Sequence, residues 1–177
     1  EIVTTWLKDN GYPYATLTRA ISHITDGNCV LIRYDIVSGH VVKIGEVLLV
    51  GNTLTSQRAV REKLYVKTGD TYSAHKILES EFALRRLGVF QNVRIEQMGL
   101  DEKSDSIHLA VRMEELRPLV VDVSAGFATD DLYTGSFTFT NFNTFGWAKR
   151  LSLRFIGGQR LSRGEITWVD PSFLNHD

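Results

Sequence analysis

Apolar and polar residues alternate with a period of two along the last third of the chain. Residues 132–142 place Tyr133, Phe137 and Phe139 at odd positions and Thr134, Ser136, Thr138 and Thr140 at even positions. Residues 149–155 repeat the pattern, with Leu151, Leu153 and Phe155 set against Arg150, Ser152 and Arg154. This alternation predicts strands with one apolar and one polar face, which also occur half-buried in soluble proteins. A series of such segments joined by turns is typical of a transmembrane β-barrel.

Residues 1–117 have a different pattern of apolar and polar residues, one that is typical of soluble α+β modules. Between residues 40 and 114 the pattern predicts the order β-α-α-β-β, with strands at 40–50, 89–97 and 106–114. A short helix is expected from Thr55 or Ser56 to about Leu64, and a second helix from Ser73 to Gly88. The apolar stripe of the second helix consists of Ala74, Ile77, Leu78, Phe82, Leu84 and Leu87.

Two stretches of the chain resemble each other at one spacing. Residues 7–11 are similar to 84–88, and residues 30–35 to 107–112, so that both pairs lie 77 positions apart. A common spacing indicates a repeated domain of about that length. The first copy has only a helix at 1–10 and strands at 14–24 and 29–38, with a turn at Asp26 and Gly27. We therefore expect the chain to begin inside a domain and to be part of a longer protein.

Composition narrows the class of protein. The 177 residues carry a net charge of −1, and this balance argues against a nucleic-acid-binding module with a basic face. Cys29 is the one cysteine, so no disulfide can form within the chain. There is neither a signal-like segment nor an apolar window of the ~18 residues that a spanning helix needs.

Residue types that carry catalysis are sparse. The five histidines lack the close spacing of a zinc site, and Gly157 and Gly158 lack the pattern of a phosphate loop. The adjacent carboxylates of Asp130 and Asp131, or of Glu114 and Glu115, would point to opposite faces in a strand. We therefore expect that the chain is not an enzyme and that it binds neither a metal nor a cofactor.

Three groups of residues within 45–93 carry a resemblance to a known family. They are residues 45–52 with Gly45 and the Gly51-Asn52 turn, residues 67–73, and residues 84–90 followed by Val93. Their combination resembles the POTRA (polypeptide-transport-associated) domain of outer-membrane assembly factors of the BamA and TamA type, also called surface antigens. Residues 141–147, 151–155 and 168–174 are similar to the first strands and turns of the barrel that follows the last POTRA domain in that family.

The resemblance implies a domain division and a function. Residues 1–39 would be the C-terminal part of one POTRA domain, 40–117 a complete POTRA domain, and 118–177 the first strands of a truncated barrel. The implied function is the assembly and insertion of β-barrel proteins into the bacterial outer membrane, with the POTRA domains in the periplasm. The implied partners are unfolded outer-membrane protein clients, accessory assembly proteins and outer-membrane lipid, with no nucleic acid.

Two strands are implied as functional sites. In the family, unfolded clients are thought to add to the first strand of the closing hairpin of a POTRA domain by β-augmentation. Here that strand contains Val89, Phe90, Gln91, Asn92, Val93, Arg94 and Ile95. The first barrel strand, residues 119–127, would form a lateral seam, with Val121, Val123 and Ala125 toward lipid or client and Asp122 and Ser124 toward the lumen. Gly126 would weaken this strand or form a bulge or turn.

Two other functions remain open at this point. A two-partner secretion pore also joins POTRA domains to a barrel. A soluble scaffold could instead use POTRA modules to bind protein partners, but it would have no use for a continuous apolar face in residues 133–155.

Overall fold

The computed structural model describes residues 2–24, 29–127, 133–159 and 162–171. Its elements are α1 (Ile2–Asp9), β1 (Thr16–Ile24), β2 (Cys29–Val37), β3 (Lys43–Val50), α2 (Gln57–Arg61), α3 (Ala74–Arg86), β4 (Phe90–Met98), β5 (Ser106–Glu115), β6 (Leu119–Gly126), β7 (Thr134–Thr144), β8 (Lys149–Gly158) and β9 (Ser162–Val169). The predicted turn at Asp26 and Gly27 and the carboxylates of Asp130 and Asp131 lie outside the described residues.

The strands form three sheets. β1 and β2 make an antiparallel hairpin, β3, β5 and β4 make a sheet in that order, and β6 to β9 follow one another in chain order. Neighbouring strands from β6 to β9 are antiparallel. Within the described residues this last sheet is open rather than a closed barrel. The protein is thus built mainly of antiparallel strands with few helices.

The chain packs as two compact units. Residues 1–48, 65–80 and 95–111 form one, and residues 49–64, 81–94 and 112–177 form the other. The first unit buries Val42, Ile44, Val47, Ile77, Ile107, Leu109 and Val111, and the second buries Val60, Leu64, Leu84, Leu87, Phe90 and Val93. The order β-α-α-β-β from β3 to β5 matches the sequence pattern, although its residues are divided between the two units. The predicted domain boundaries therefore stay a prediction.

Local capping explains where the two central helices begin and end. The Ser56 hydroxyl accepts the Ala59 N–H at 3.2 Å, and the Ser73 hydroxyl accepts the Lys76 N–H at 3.3 Å. Gly88 follows α3 with φ +69°, as expected for the residue after a helix. The first of these helices ends at Arg61 rather than near Leu64, because Lys63 and Leu64 donate to carbonyls three residues back and tighten the last turn.

Hydrogen bonds within the first unit join the partial copy to the complete one. The His75 N–H donates to Asp9 Oδ1 at 2.8 Å, the Val42 N–H to the Gly11 carbonyl at 2.8 Å, and the Tyr14 hydroxyl to the Ser104 carbonyl at 2.9 Å. Desolvation, and secondarily the Asp105 carboxylate, raise the pKa of Tyr14. The hydroxyl therefore stays protonated and able to donate near neutral pH.

The apolar face of the partial copy differs in exposure from its counterpart. Ile32, Tyr34 and Ile36 on β2 are about half exposed, whereas Leu109, Val111 and Met113, which stand 77 positions later on β5, are buried. The same apolar pattern therefore lies on an exposed strand in one copy and on a covered strand in the other.

Candidate functional site

The strand predicted to bind clients is one of the two edge strands of its sheet. β4 pairs with β5, and β5 separates it from β3. The strand begins at Phe90, one residue later than predicted, with Val89 buried just before it. Phe90, Val93 and Ile95 are buried, whereas Gln91, Asn92 and Arg94 are exposed. Two successive exposed residues break the alternation at Gln91 and Asn92, which is typical of a β-bulge.

A side chain from α3 contacts the main chain of this edge strand. Arg85 donates to the Val93 carbonyl from Nε at 3.3 Å and from Nη2 at 2.9 Å. The same guanidinium forms an ion pair with Glu81 one helical turn earlier. The contact with Val93 could not be predicted from the sequence, because it depends on how α3, the Gly88 turn and β4 are arranged in space.

The sheet from β6 to β9 has one largely apolar and one largely polar face. Directly opposed residues form a row across the four strands on each face. One row contains Val121, Phe139, Leu153 and Ile166, and the neighbouring row on the other face contains Asp122, Thr138, Arg154 and Glu165. Because adjacent residues of a strand point to opposite faces, these two rows define the faces of the sheet.

The apolar face is exposed to a degree that is unusual for a folded soluble protein. Val123 is 76% exposed and Ile166 is 75% exposed, and Phe137, Phe155 and Trp168 on the same face are each about half exposed. Contiguous apolar patches of this kind mark a surface that is covered by something other than water. On the polar face, hydroxyl groups pair across strands, at 2.7 Å between Ser124 and Ser136 and at 3.0 Å between Thr140 and Ser152.

The strand predicted to form the seam lies at an edge of this sheet. β6 pairs with β7 along its whole length, and Val121, Val123 and Ala125 share the apolar face while Asp122 and Ser124 share the polar face. Gly126 pairs with Thr134 in regular register, so it is not a bulge. The irregularity of the sheet instead falls between β7 and β8, where the register shifts between Asn141 and Thr144.

A carboxylate at the end of β5 organises the loop before α2. Glu115 Oε2 accepts the Thr53 N–H at 2.9 Å, the Thr53 hydroxyl at 2.7 Å and the Leu54 N–H at 2.8 Å. Its Oε1 accepts the Thr55 N–H at 2.7 Å. This role of Glu115 could not be predicted from the sequence, where Glu115 stood out only beside Glu114, since its partners lie 60 to 62 positions away.

The β7–β8 turn is hydrogen-bonded to the same loop. Asn143 Nδ2 donates to the Thr55 hydroxyl at 2.9 Å, and the Ser56 N–H donates to the Gly146 carbonyl at 2.9 Å. Gly146 has φ +73°, and a Cβ placed there would lie 2.8 Å from the Leu54 carbonyl oxygen. Both the backbone angle and the close approach therefore require glycine. The loop at residues 53–56 is held by Glu115 and by this turn.

Glu115 makes the stability of this loop dependent on pH. Desolvation raises the pKa of Glu115, but hydrogen bonds from Thr55, Thr53 and Leu54 outweigh it and hold the pKa below the ordinary value. A carboxyl whose pKa is lowered by folding stabilises the folded state above its unfolded pKa, and this contribution is lost as the pH falls through the lowered value. We expect the unfolding free energies of the parent and of Glu115→Gln to converge over that acidic range. A difference that is independent of pH would contradict this assignment.

None of the helices in residues 2–127 that the structure describes is long and apolar enough to cross a membrane. In the same described part of the chain, no three His, Cys, Asp or Glu side chains converge as metal ligands.

Comparison with known sequences identifies the central domain. The POTRA family, described as a surface antigen variable number repeat, matches residues 42–116. The outer membrane protein assembly factor BamA of Neorickettsia risticii (strain Illinois) is 27% identical over 145 residues, which cover 82% of this chain and 19% of that protein. BamA of Neisseria meningitidis serogroup B is 25% identical over 163 residues, which cover 92% of this chain and 20% of that protein. The chain thus spans about a fifth of the length of these curated relatives.

Comparison with solved structures extends the similarity of fold to the whole chain. The crystal structure of BamA from Haemophilus ducreyi lacking POTRA domains 1–3 matches with a TM-score of 0.79 and 16% identity, covering 97% of this chain and 32% of that one. POTRA domains 3–5 of BamA from Haemophilus influenzae match with a TM-score of 0.51 and 18% identity, covering 64% of this chain and 45% of that one. Residues 42–116 thus match the POTRA family, and most of the chain is similar in sequence to BamA-type outer membrane protein assembly factors.

Proposed function

We propose that the chain is the membrane-proximal POTRA region and the first barrel strands of an outer-membrane protein assembly factor. In this proposal the POTRA domains at residues 1–39 and 40–117 lie in the periplasm, and residues 118–177 enter the outer membrane. The relatives named assembly factors support the general function. The observation that carries the membrane assignment is the separation of apolar and polar residues onto opposite faces of β6 to β9.

The physical basis of the membrane assignment is the requirement that apolar surface be covered. In a barrel, lipid covers the outer face and water fills or lines the inner face, so each strand alternates between the two. The row of Val121, Phe139, Leu153 and Ile166 would then face lipid. The row of Asp122, Thr138, Arg154 and Glu165 would face the lumen, where charges stay solvated.

The proposed client-binding element is β4. An outermost strand presents main-chain donors and acceptors along one side, and an extended segment of an unfolded protein can add to it. The gain comes from backbone hydrogen bonds, which do not depend on the client's side chains. Such an edge suits a factor that handles clients of many sequences, with residues 89–95 as the strand that pairs.

The proposed seam is β6, the first strand of the barrel segment. In hydrocarbon each unsatisfied backbone group costs several kcal/mol, so an edge strand at this depth must be paired. We propose that a client strand can take that place beside Val121, Val123 and Ala125. Client strands would then meet one edge in the periplasm and a second in the membrane.

The two other functions make different demands on this chain. A two-partner secretion pore would use the same barrel segment and would need a plugging helix outside these residues. In a soluble scaffold, the apolar side chains of Val123 and Ile166 would lie in water, because both are about three-quarters exposed. The exposed apolar face therefore favours a membrane protein over a scaffold.

Strand addition at β4 can be tested with N-methylated peptides. The probe is a synthetic peptide with the alternating sequence of residues 133–144, and two further peptides carry N-methyl groups at its odd or its even positions. One set removes the N–H groups that would face β4, whereas the other leaves them intact. We expect one set to bind at least tenfold more weakly than the unmethylated probe, since two or more hydrogen bonds of about 1 kcal/mol each are lost.

The measurement is fluorescence anisotropy of the labelled peptides with the chain in detergent micelles, and chemical-shift changes locate the bound strand. The oppositely methylated peptide is the matched control, because it has the same composition and the same number of methyl groups. Equal binding by both methylated peptides, or shift changes confined to other strands, would contradict addition at β4.

A further inference from the structure

The side chain of Arg85 contacts a main-chain acceptor on β4, an edge strand of the sheet formed by β3, β5 and β4. Its Nε and Nη2 lie 3.3 Å and 2.9 Å from the Val93 carbonyl oxygen. Glu81 pairs with Nη2 from one turn earlier in α3, which orients the guanidinium toward the strand. The arginine side chain is 48% exposed, so it can leave this position without opening the core.

The position of Val93 makes this contact relevant to strand addition. Its side chain is fully buried, so its backbone is held in place. β4 has its sheet neighbour, β5, on one side, and an added strand would need the acceptors on the other side. The Arg85 guanidinium reaches the Val93 carbonyl from α3, so an added strand that pairs with β4 through this carbonyl would compete with it. Hydrogen bonds from a charged donor are stronger than those from a neutral amide.

We propose that Arg85 guards the β4 edge, so that an extended client segment must displace its guanidinium from the Val93 carbonyl in order to pair there. This inference rests on the proposed role of β4 in client binding and adds a residue that regulates it. The contact weakens strand addition by every client to the same extent. Only segments that form many further backbone hydrogen bonds would then bind, and pairing between the β4 edges of two copies is disfavoured.

A substitution pair separates this effect from a change of net charge. Arg85→Met keeps the length and apolar stem of the side chain but cannot donate to Val93. Arg86→Met, in the next position of α3 and exposed, removes the same charge and is the matched control. The probe is the unmethylated peptide of residues 133–144, and its Kd is measured by anisotropy with each variant.

We expect Arg85→Met to bind the peptide about fivefold more tightly than the parent, because the contact between the guanidinium and the Val93 carbonyl no longer has to be broken. Solvent at this half-exposed side chain limits the net value of the contact to about 1 kcal/mol. Arg86→Met should change the Kd by less than about twofold, because the charge of a solvated surface side chain contributes little to binding. Glu81→Gln, which removes the charge that orients Arg85, should give an intermediate Kd.

A second measurement needs no variant. In the parent protein, the Arg85 Nε–H should exchange slowly with solvent, and its exchange should accelerate when the peptide is added. If Arg85→Met does not fold, this exchange decides the question. An unchanged exchange rate in the peptide-bound protein would overturn the proposal.

The outcomes distinguish this proposal from the function on which it rests. One set of N-methyl groups could weaken peptide binding while the parent and Arg85→Met bind the peptide equally. This result would overturn the proposed role of Arg85 and would leave strand addition at β4 intact. If neither the parent nor Arg85→Met binds the peptide, both the guard and strand addition at β4 are wrong.

Discussion

Leu153→Arg is expected to prevent the complete protein from inserting into lipid. Leu153 lies in the inner strand β8, between Phe139 on β7 and Ile166 on β9. If this face contacts lipid, an arginine near the middle of the membrane destabilises the inserted state by about 2–4 kcal/mol. The measurement is folding into detergent or lipid vesicles, followed by the mobility shift of unheated samples on gels.

Two control variants test whether the face of the sheet determines this effect. Thr167→Arg adds the same charge on the polar face, where Thr167 opposes Ser152 on β8. Arg154→Leu removes a charge from that face and should also insert well. Insertion of Leu153→Arg at the parent level, or folding of the parent without any amphiphile, would contradict the barrel assignment and favour the soluble scaffold.

The elements that sequence analysis predicted are those set by local rules. Ser56 and Ser73 cap helices because their side chains reach N–H groups three residues away. The faces of β7 and β8 follow from alternation, and the observed register brings Phe139 opposite Leu153 as this pattern requires. Each of these predictions depends only on residues within a short stretch of the chain.

The contacts that sequence analysis missed join distant parts of the chain. Glu115 binds the loop at 53–55, and Asn143 binds Thr55 across 88 positions. Arg85 and Val93 are only eight positions apart, but the Gly88 turn between them determines whether the side chain can reach the carbonyl. Glutamates, asparagines and arginines are common on surfaces, so residue type alone does not distinguish these three. Alternation likewise predicts two faces of a sheet but not which solvent covers each of them.

Among these long-range contacts, Glu115 is expected to have the largest effect on the stability of the folded chain. Glu115→Ala should lower the unfolding free energy by about 2–3 kcal/mol, because three N–H groups of the loop lose a charged acceptor. This decrease in unfolding free energy is well below the sum of four charged hydrogen bonds, because water can reach the site and replace those bonds. Glu114→Ala, on the adjacent exposed position of β5, is the matched control and should change stability by less than about 0.5 kcal/mol.

Hydrogen exchange identifies where Glu115→Ala acts. The amides of Thr53, Leu54 and Thr55 should lose protection in Glu115→Ala and keep it in Glu114→Ala, while unfolding followed by circular dichroism gives the change in stability. Loss of protection should extend to Ser56, whose N–H donates to the Gly146 carbonyl at 2.9 Å, because the β7–β8 turn is bound to the same loop. If Ser56 stays protected while the three amides exchange, the turn holds the loop independently of Glu115. Equal effects of the two glutamate variants on stability and exchange would show that the carboxylate of Glu115 does not organise this loop.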